Sequence, residues 1–175
     1  MALLYPDWWF EHITRIPVEF FEERDIRLLV LDVDNTLTTH NNPTPAPGVM
    51  EWLSRMKAAG IKLTILSNNH AERVEPFARL LGLPFVAGAA KPLPLGLKRA
   101  CTQFGCTPAQ TALIGDQLFT DILCGNLLPG VCSVLVTMQE PEHSWFFRQK
   151  RRLERPILRR FARQHPRQII GETHL

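Results

Sequence analysis

Twelve residues, Ile26 to Leu37, constrain this chain more than any others. They read I-R-L-L-V-L-D-V-D-N-T-L and run an apolar strand straight into two carboxylates one residue apart. Leu28, Leu29, Val30 and Leu31 form a short continuous apolar run, which fits a strand covered on both faces as in a parallel sheet. Ligands of open α/β sheets sit beyond the carboxyl ends of the strands, so Asp32 and Asp34 stand where a site should be. Side chains at i and i+2 of an extended segment point the same way, so the two acids can face one reacting centre. Alternatively, one offers its carboxylate and the other its main-chain carbonyl to a metal. An Asp-x-Asp-Asn stretch also makes an ordinary strand-to-turn exit, because Asp and Asn favour turns. The later motifs have to decide between these readings.

Downstream, apolar spacing alternates between helix and strand. Thr38 to Gly48 reads as a proline-rich loop, and Val49, Trp52, Leu53 and Met56 then predict a helix stopped at Gly60. Ile61 to Leu66 is a second buried strand, ending in Ser67-Asn68-Asn69. A helix from about Ala71 to Leu81 closes at Gly82, and a short strand around Phe85-Val86 leads to Ala90-Lys91-Pro92. Leu95, Leu97, Ala100 and Phe104 support another helix, and Thr107-Pro108 starts an element of one turn. Ala112 to Ile114 is a strand entering Gly115-Asp116-Gln117; a helix begins near Thr120-Asp121, and Val131 to Val136 is the last strand. Such alternation implies an α/β fold: a Rossmann-like three-layer αβα sandwich with a central parallel sheet and right-handed crossovers.

The 175 residues fit one domain, 1–175, with a core at about 26–138 between an aromatic segment (1–25) and a basic one (139–175). Prolines 6 and 17 bracket at most a short helix in the first segment. Its large apolar side chains either pack on the domain or meet a water–lipid boundary. Cys101, Cys106, Cys124 and Cys132 lack C-x-x-C spacing, so a reduced, cytoplasmic protein is expected. No apolar stretch approaches the ~20 residues of a spanning helix, and no signal peptide is visible. Charge is uneven. From Trp145 onward nine basic residues face two acids, net +7, which leaves the first 144 residues at −4 of the total +3. A basic tail on an acidic body points to an anionic partner.

Further strand ends carry Ser67, Lys91, and Asp116 followed by Asp121. Each alone is an ordinary cap or solvated charge; together, at successive strand ends, they form a constellation. The ordered set D-V-D-N-T-L (32 to 37), S-N-N (67 to 69), K-P (91, 92) and G-D-Q-L-F-T-D (115 to 121) resembles the haloacid dehalogenase superfamily of phosphohydrolases. Within it, the S-N-N and G-D-Q-L-F-T-D versions are similar to the YqeG-type subfamily IIIA phosphatases, relatives of the phosphatidylglycerophosphate phosphatases. The resemblance covers roughly Ile26 to Met138.

That resemblance implies a role for each residue. Asp32 would be the nucleophile, forming an aspartyl-phosphate, and Asp34 the general acid and base. Mg²⁺ would be held by Asp32, the Asp34 carbonyl and Asp116, with Asp121 in an outer position or on a bound water. Ser67 and the Asn68 amide would bind phosphoryl oxygens, Lys91 would offset anionic charge around Asp32, and Thr36 would steady the turn or contact phosphate. The gaps Thr38 to Ile61 and His70 to Lys91 are too short for a large cap domain, so an open site is expected, suited to a phosphate on something large. A lipid phosphate monoester such as phosphatidylglycerophosphate is then the favoured substrate. Alternatives are nucleic-acid end phosphatase, another phosphatase of the superfamily, and a non-catalytic binding protein that keeps the fold. The tail lacks regularly interleaved aromatics for base stacking, which favours lipid over nucleic acid. Phe146, Leu153, Ile157 and Phe161 fall along one helical face of Trp145 to Arg163, with arginines around it, as in a helix lying on an anionic membrane surface. The same stripe would equally serve to pack on the protein's own core. Pro156 is expected to divide this segment into two short helices.

Overall fold

The structure, a computed structural model, describes residues 3–39, 42–137 and 145–171, with only the backbone described for 145–151. The apolar run before the paired acids is strand β2 (Leu28–Leu31), an interior strand of a seven-stranded sheet. Its partners are β1 (Trp8–Phe10), β3 (Lys62–Leu66), β4 (Phe85–Val86), β5 (Thr111–Gly115), β6 (Cys132–Val136) and β7 (Ile169–Ile170), in the order β4-β3-β2-β5-β6-β1-β7. Every pairing is parallel, as the expected fold class requires.

The layers follow from the two-residue period of strands. Leu29, Leu31, Ala112, Ile114, Val134 and Val136 pack to one side. There α2 (Val49–Ala58) contributes Trp52, Leu53 and Met56, and α3 (Ala71–Leu81) contributes Val74, Phe77 and Leu81. Leu28, Val30 and Leu113 face the other side, against α4 (Leu95–Phe104) and Cys124 of α5 (Leu123–Asn126). Helix α3 ends at Gly82, whose φ of 59° supplies the left-handed C-cap that the sequence signals.

The two ends of the chain depart from expectation. Residues 8–10 are a sheet strand, not part of a helix; a 3₁₀ turn (Ile13–Arg15) and the one-turn α1 (Val18–Glu22) follow. The segment packs on the domain: Phe10, Ile13, Ile16 and Phe21 are fully buried, and the buried Trp52 indole donates to the Ile16 carbonyl at 2.8 Å. Three residues give too short an alternation to announce a strand, and the pairing Trp8 to Val134 spans most of the chain.

Helix α6 (Trp145–Gln164) is continuous through Pro156, so the expected division does not occur. Pro156 is exposed, as is Arg152, the residue one turn earlier whose carbonyl loses its N–H partner, so the interruption falls on the solvent side of the helix. Tertiary packing offsets the rest: Phe161 is 1% exposed among Trp9, Leu118, Ile122 and Leu135, with Ile157 and Leu158 beside it. The stripe therefore serves the core over its last turns, whereas Leu153 stays 64% exposed. The side chain of Phe146 lies outside the described residues. Among the described residues no helix is long and apolar enough to cross a membrane.

Phe161 is thus the anchor of α6, and Phe161→Ala should cost about 3–5 kcal/mol, as large aromatic truncations in cores do. Denaturant unfolding measures this; a loss below about 1 kcal/mol would mean that α6 is not docked through Phe161.

Candidate active site

Parallel strands bring all their carboxyl ends to one edge, and every motif residue lies there. β2 leads into Asp32, β3 into Ser67, and β5 runs through Gly115 into Asp116. After Asp34 the chain reverses through Asn35, whose left-handed φ of 58° is one that Asn tolerates. After β4 a second reversal at Ala90, φ 56°, delivers Lys91. Beyond Asp116 the chain makes a wide turn in which the Ile122 N–H bonds the Gln117 carbonyl at 3.2 Å, and this turn returns Asp121 to the site.

Lys91 is the centre of the cluster. It is 7% exposed, and its Nζ donates to Asp32 Oδ1 and to Asp121 Oδ1, each at 2.6 Å. The Asn68 side chain fixes it from the other end, accepting from the Lys91 N–H at 2.7 Å and donating to the Lys91 carbonyl at 2.9 Å. The Asn68 side chain is thus spent on positioning Lys91, which leaves its main-chain N–H for the expected phosphate contact. Asp121 also accepts from the Gln117 N–H at 3.1 Å, and it lies so close over Gly115 that a Cβ there would stand 2.3 Å from its carboxyl carbon. Glycine at 115 is a steric requirement for the position of Asp121.

The donor set fits a hard divalent cation. Asp32, Asp116 and Asp121 are buried and offer carboxylate oxygens within 4.8 Å of one another. With Lys91 charged, three ionised carboxylates leave a net −2, which in a water-poor site calls for a dication or a retained proton. Burial pushes the Asp32 carboxyl up from the ordinary 3.8 to about 8; Lys91 opposes the rise, and Asp121 and Asp116 add to it. Burial also disfavours the ammonium of Lys91, but Asp121 and Asp32 together outweigh it and hold the group above the usual lysine range.

Asp34 has different surroundings. It is half-buried; Asn69 Nδ2 donates to its Oδ2 at 2.9 Å and Arg73 Nη2 to its Oδ1 at 3.2 Å. Its carboxylate is not in the acidic triad. Beside it runs a groove of about 230 Å³ lined by Val33, Ser67, Val74 and Phe77 among others. Ser67 is buried, with its Oγ accepting from the Asn69 N–H at 3.2 Å, and Thr36 is fully buried in the turn below. Between β2 and β3 the described residues hold one helix, and between β3 and Lys91 one helix and a two-residue strand, so the edge carries no large cap.

Sequence reasoning missed two contributors. Arg73, on α3, was not singled out. Glu154 of α6 is 1% exposed and accepts from the Leu118 N–H at 2.9 Å, bracing the turn that bears Asp116 and Asp121. A lone acid between arginines gives no sequence signal of that kind; only burial reveals it.

Several known proteins share this arrangement of sequence. A family model described as haloacid dehalogenase-like hydrolase matches residues 6–126. The chain is 36% identical over 159 residues to "Probable phosphatase YqeG" of Bacillus subtilis, covering 91% of this chain and 92% of that protein. It is 25% identical over 171 residues to "Phosphatidylglycerophosphate phosphatase 1, chloroplastic/mitochondrial" of Arabidopsis thaliana, covering 93% of this chain but 46% of that protein. A solved structure of an uncharacterized protein from Listeria monocytogenes superposes with a TM-score of 0.56 over 68% of this chain and 85% of that one; at 15% identity it speaks to the fold alone.

The raised Asp32 carboxyl makes a pH prediction for the protein in excess chelator. Between 3.8 and about 8 the unfolded chain has released a proton that the native site keeps, so stability should fall as pH rises through this window. The upward shift of Lys91 contributes stability that is constant below its ordinary 10.5 and is lost only above it, so it adds no slope in this window. Thermal unfolding from pH 5 to 8 should show the decline in wild type and a flatter profile in Asp32→Asn; equal slopes would remove Asp32 as the cause.

Proposed function

The chain belongs to the haloacid dehalogenase-like hydrolases and is a phosphatase of that family, and from there we propose a Mg²⁺-dependent phosphomonoesterase acting on a lipid phosphate, phosphatidylglycerophosphate being the leading substrate. The observation that carries the reading is the buried Lys91 bridging Asp32 and Asp121, next to Asp116, at the open end of the sheet. Phosphate-monoester hydrolysis is among the slowest uncatalysed reactions, and repulsion between an anionic nucleophile and the phosphoryl oxygens must be offset.

In this reading an Asp32 carboxylate oxygen attacks phosphorus, the ester P–O bond breaks, and Asp34 protonates the departing alkoxide. Asp34 then takes a proton from water, the water oxygen attacks phosphorus, and the Asp32–phosphorus bond breaks to release inorganic phosphate. Asp32, Asp116 and the Asp34 carbonyl would hold the Mg²⁺ ion, with Asp121 beside them, and the bound ion would supply positive charge to the phosphoryl oxygens. Lys91 supplies a second, permanent positive charge at Asp32. Ser67 offers its hydroxyl to a phosphoryl oxygen, as does the Asn68 main-chain N–H. Asn69 and Arg73 fix the orientation of Asp34.

The lipid assignment is supported by the open edge, by the relative named for phosphatidylglycerophosphate, and by α6. Arg152, Arg155, Arg159, Arg160 and Arg163 line one groove on that helix, away from buried Phe161. At roughly 1 kcal/mol per basic residue near an anionic surface, these five can hold the protein at a membrane reversibly, and less so in high salt.

Hydrolysis of phosphatidylglycerophosphate in anionic vesicles, of a 5′-phosphorylated oligonucleotide and of a sugar phosphate should rank in that order by kcat/KM. All activity should vanish in chelator and return with Mg²⁺. Arg155→Glu/Arg159→Glu/Arg160→Glu should lower vesicle co-sedimentation and lipid turnover at least about tenfold while the sugar phosphate is turned over as before. Preference for the oligonucleotide would contradict the lipid assignment, and full activity in chelator the metal.

A further inference from the structure

The groove beside Asp34 has a chemical character that the hydrolytic residues do not account for. Ser67 and Asp34 are both part of its lining, so the groove offers room for the leaving alcohol of a phosphate at the reacting centre. Its walls are apolar at Val33, Pro43, Val74, Pro76 and Phe77, and among the described residues that line it Arg73 is the one cation. The Arg73 side chain remains 45% accessible, and its pairing with Asp34 uses the single nitrogen Nη2. A guanidinium carries five N–H donors in a planar fork suited to phosphate oxygens, so a second anion can be bound without giving up Asp34.

The size of the groove limits what enters. About 230 Å³ accommodates a three-carbon alcohol with one further phosphate-type group, but it lies below the ~300–1,000 Å³ that encloses drug-sized ligands, and acyl chains do not fit within it.

Resting on the phosphatase reading above, we propose that Arg73 forms a leaving-group subsite that selects phosphomonoesters whose alcohol carries a second phosphate or phosphodiester about three carbons away. The apolar walls contact the carbon spacer, and the fork of Arg73 takes the second anion. For a membrane lipid, the polar head alone then enters the groove and the acyl chains stay in the bilayer. Arg73 would thus be a specificity residue that touches the substrate remote from the broken bond.

Two soluble esters with nearly the same alkoxide leaving group isolate the effect from any membrane contribution: propane-1,3-diyl bisphosphate and n-propyl phosphate. Wild type should favour the bisphosphate by about tenfold or more in kcat/KM, the range expected of a charge-assisted contact. Arg73→Gln should collapse that ratio towards one, and Arg73→Lys, which keeps the charge without the fork, should restore part of it. Circular dichroism checks that each variant is folded. No preference in wild type, or a preference that survives Arg73→Gln, would overturn the subsite, as would equal losses on both esters, which would mark Arg73 as an orienting group for Asp34 alone. Turnover of both esters without preference sinks the subsite and leaves the phosphatase reading standing; turnover of neither ester, with Mg²⁺ present, sinks both.

Discussion

A single buried ammonium organises the carboxyl edge of this sheet. Lys91 Nζ lies 2.6 Å from both Asp32 and Asp121, and the lysine is 7% exposed. Withdrawing such a charge from water costs several kcal/mol per ion, which is recovered only where geometry and further hydrogen bonds are good. Here they are: Asn68 holds the Lys91 backbone at two points, and Gln117 donates to Asp121. Removing Lys91 would leave three buried carboxylates facing one another, so the lysine is required by the acids as much as the acids are by the chemistry.

The fold makes that cluster possible because its contributors lie far apart in sequence. Asp32 and Lys91 are 59 residues apart, and Lys91 and Asp121 are 30 apart. A parallel sheet returns each strand to the same edge, so β2, the loop after β4, and β5 deliver them without any local motif being able to close the site by itself. The C-terminal helix takes part as well. Glu154 braces Leu118 at the turn bearing Asp116 and Asp121, and Phe161 seats the same helix on β1 and β6.

Much of this was legible beforehand, for physical reasons that differ by element. The strand Leu28–Leu31 and the helix Ala71–Leu81 carry their own periodicity and stops, and both are observed where the spacing puts them. The acids at strand ends could be read because parallel sheets concentrate function there. Trp8–Phe10 could not be read as a strand, since three residues carry no period and their partner lies in β6. Pro156 misleads because its local cost is real, yet the burial of Phe161 on the same helix outweighs it. Arg73 and Glu154 escape for a common reason: their roles are tertiary hydrogen bonds to Asp34 and Leu118, which no spacing encodes, and the side-chain bonds of Asn68 to Lys91 are of the same kind.

The central claim is that this lysine-centred cluster makes Asp32 a covalent acceptor of phosphate. The direct measurement is to quench the Mg²⁺-loaded enzyme during turnover of an activated aryl phosphate and locate the phosphoryl group by peptide mass spectrometry. A hydroxylamine-labile acyl phosphate is expected on the peptide containing Asp32, absent from Asp32→Asn, whose turnover should fall by at least about a hundredfold. Phosphate mapped to another residue, or an Asp32→Asn enzyme that retains its rate, would contradict it.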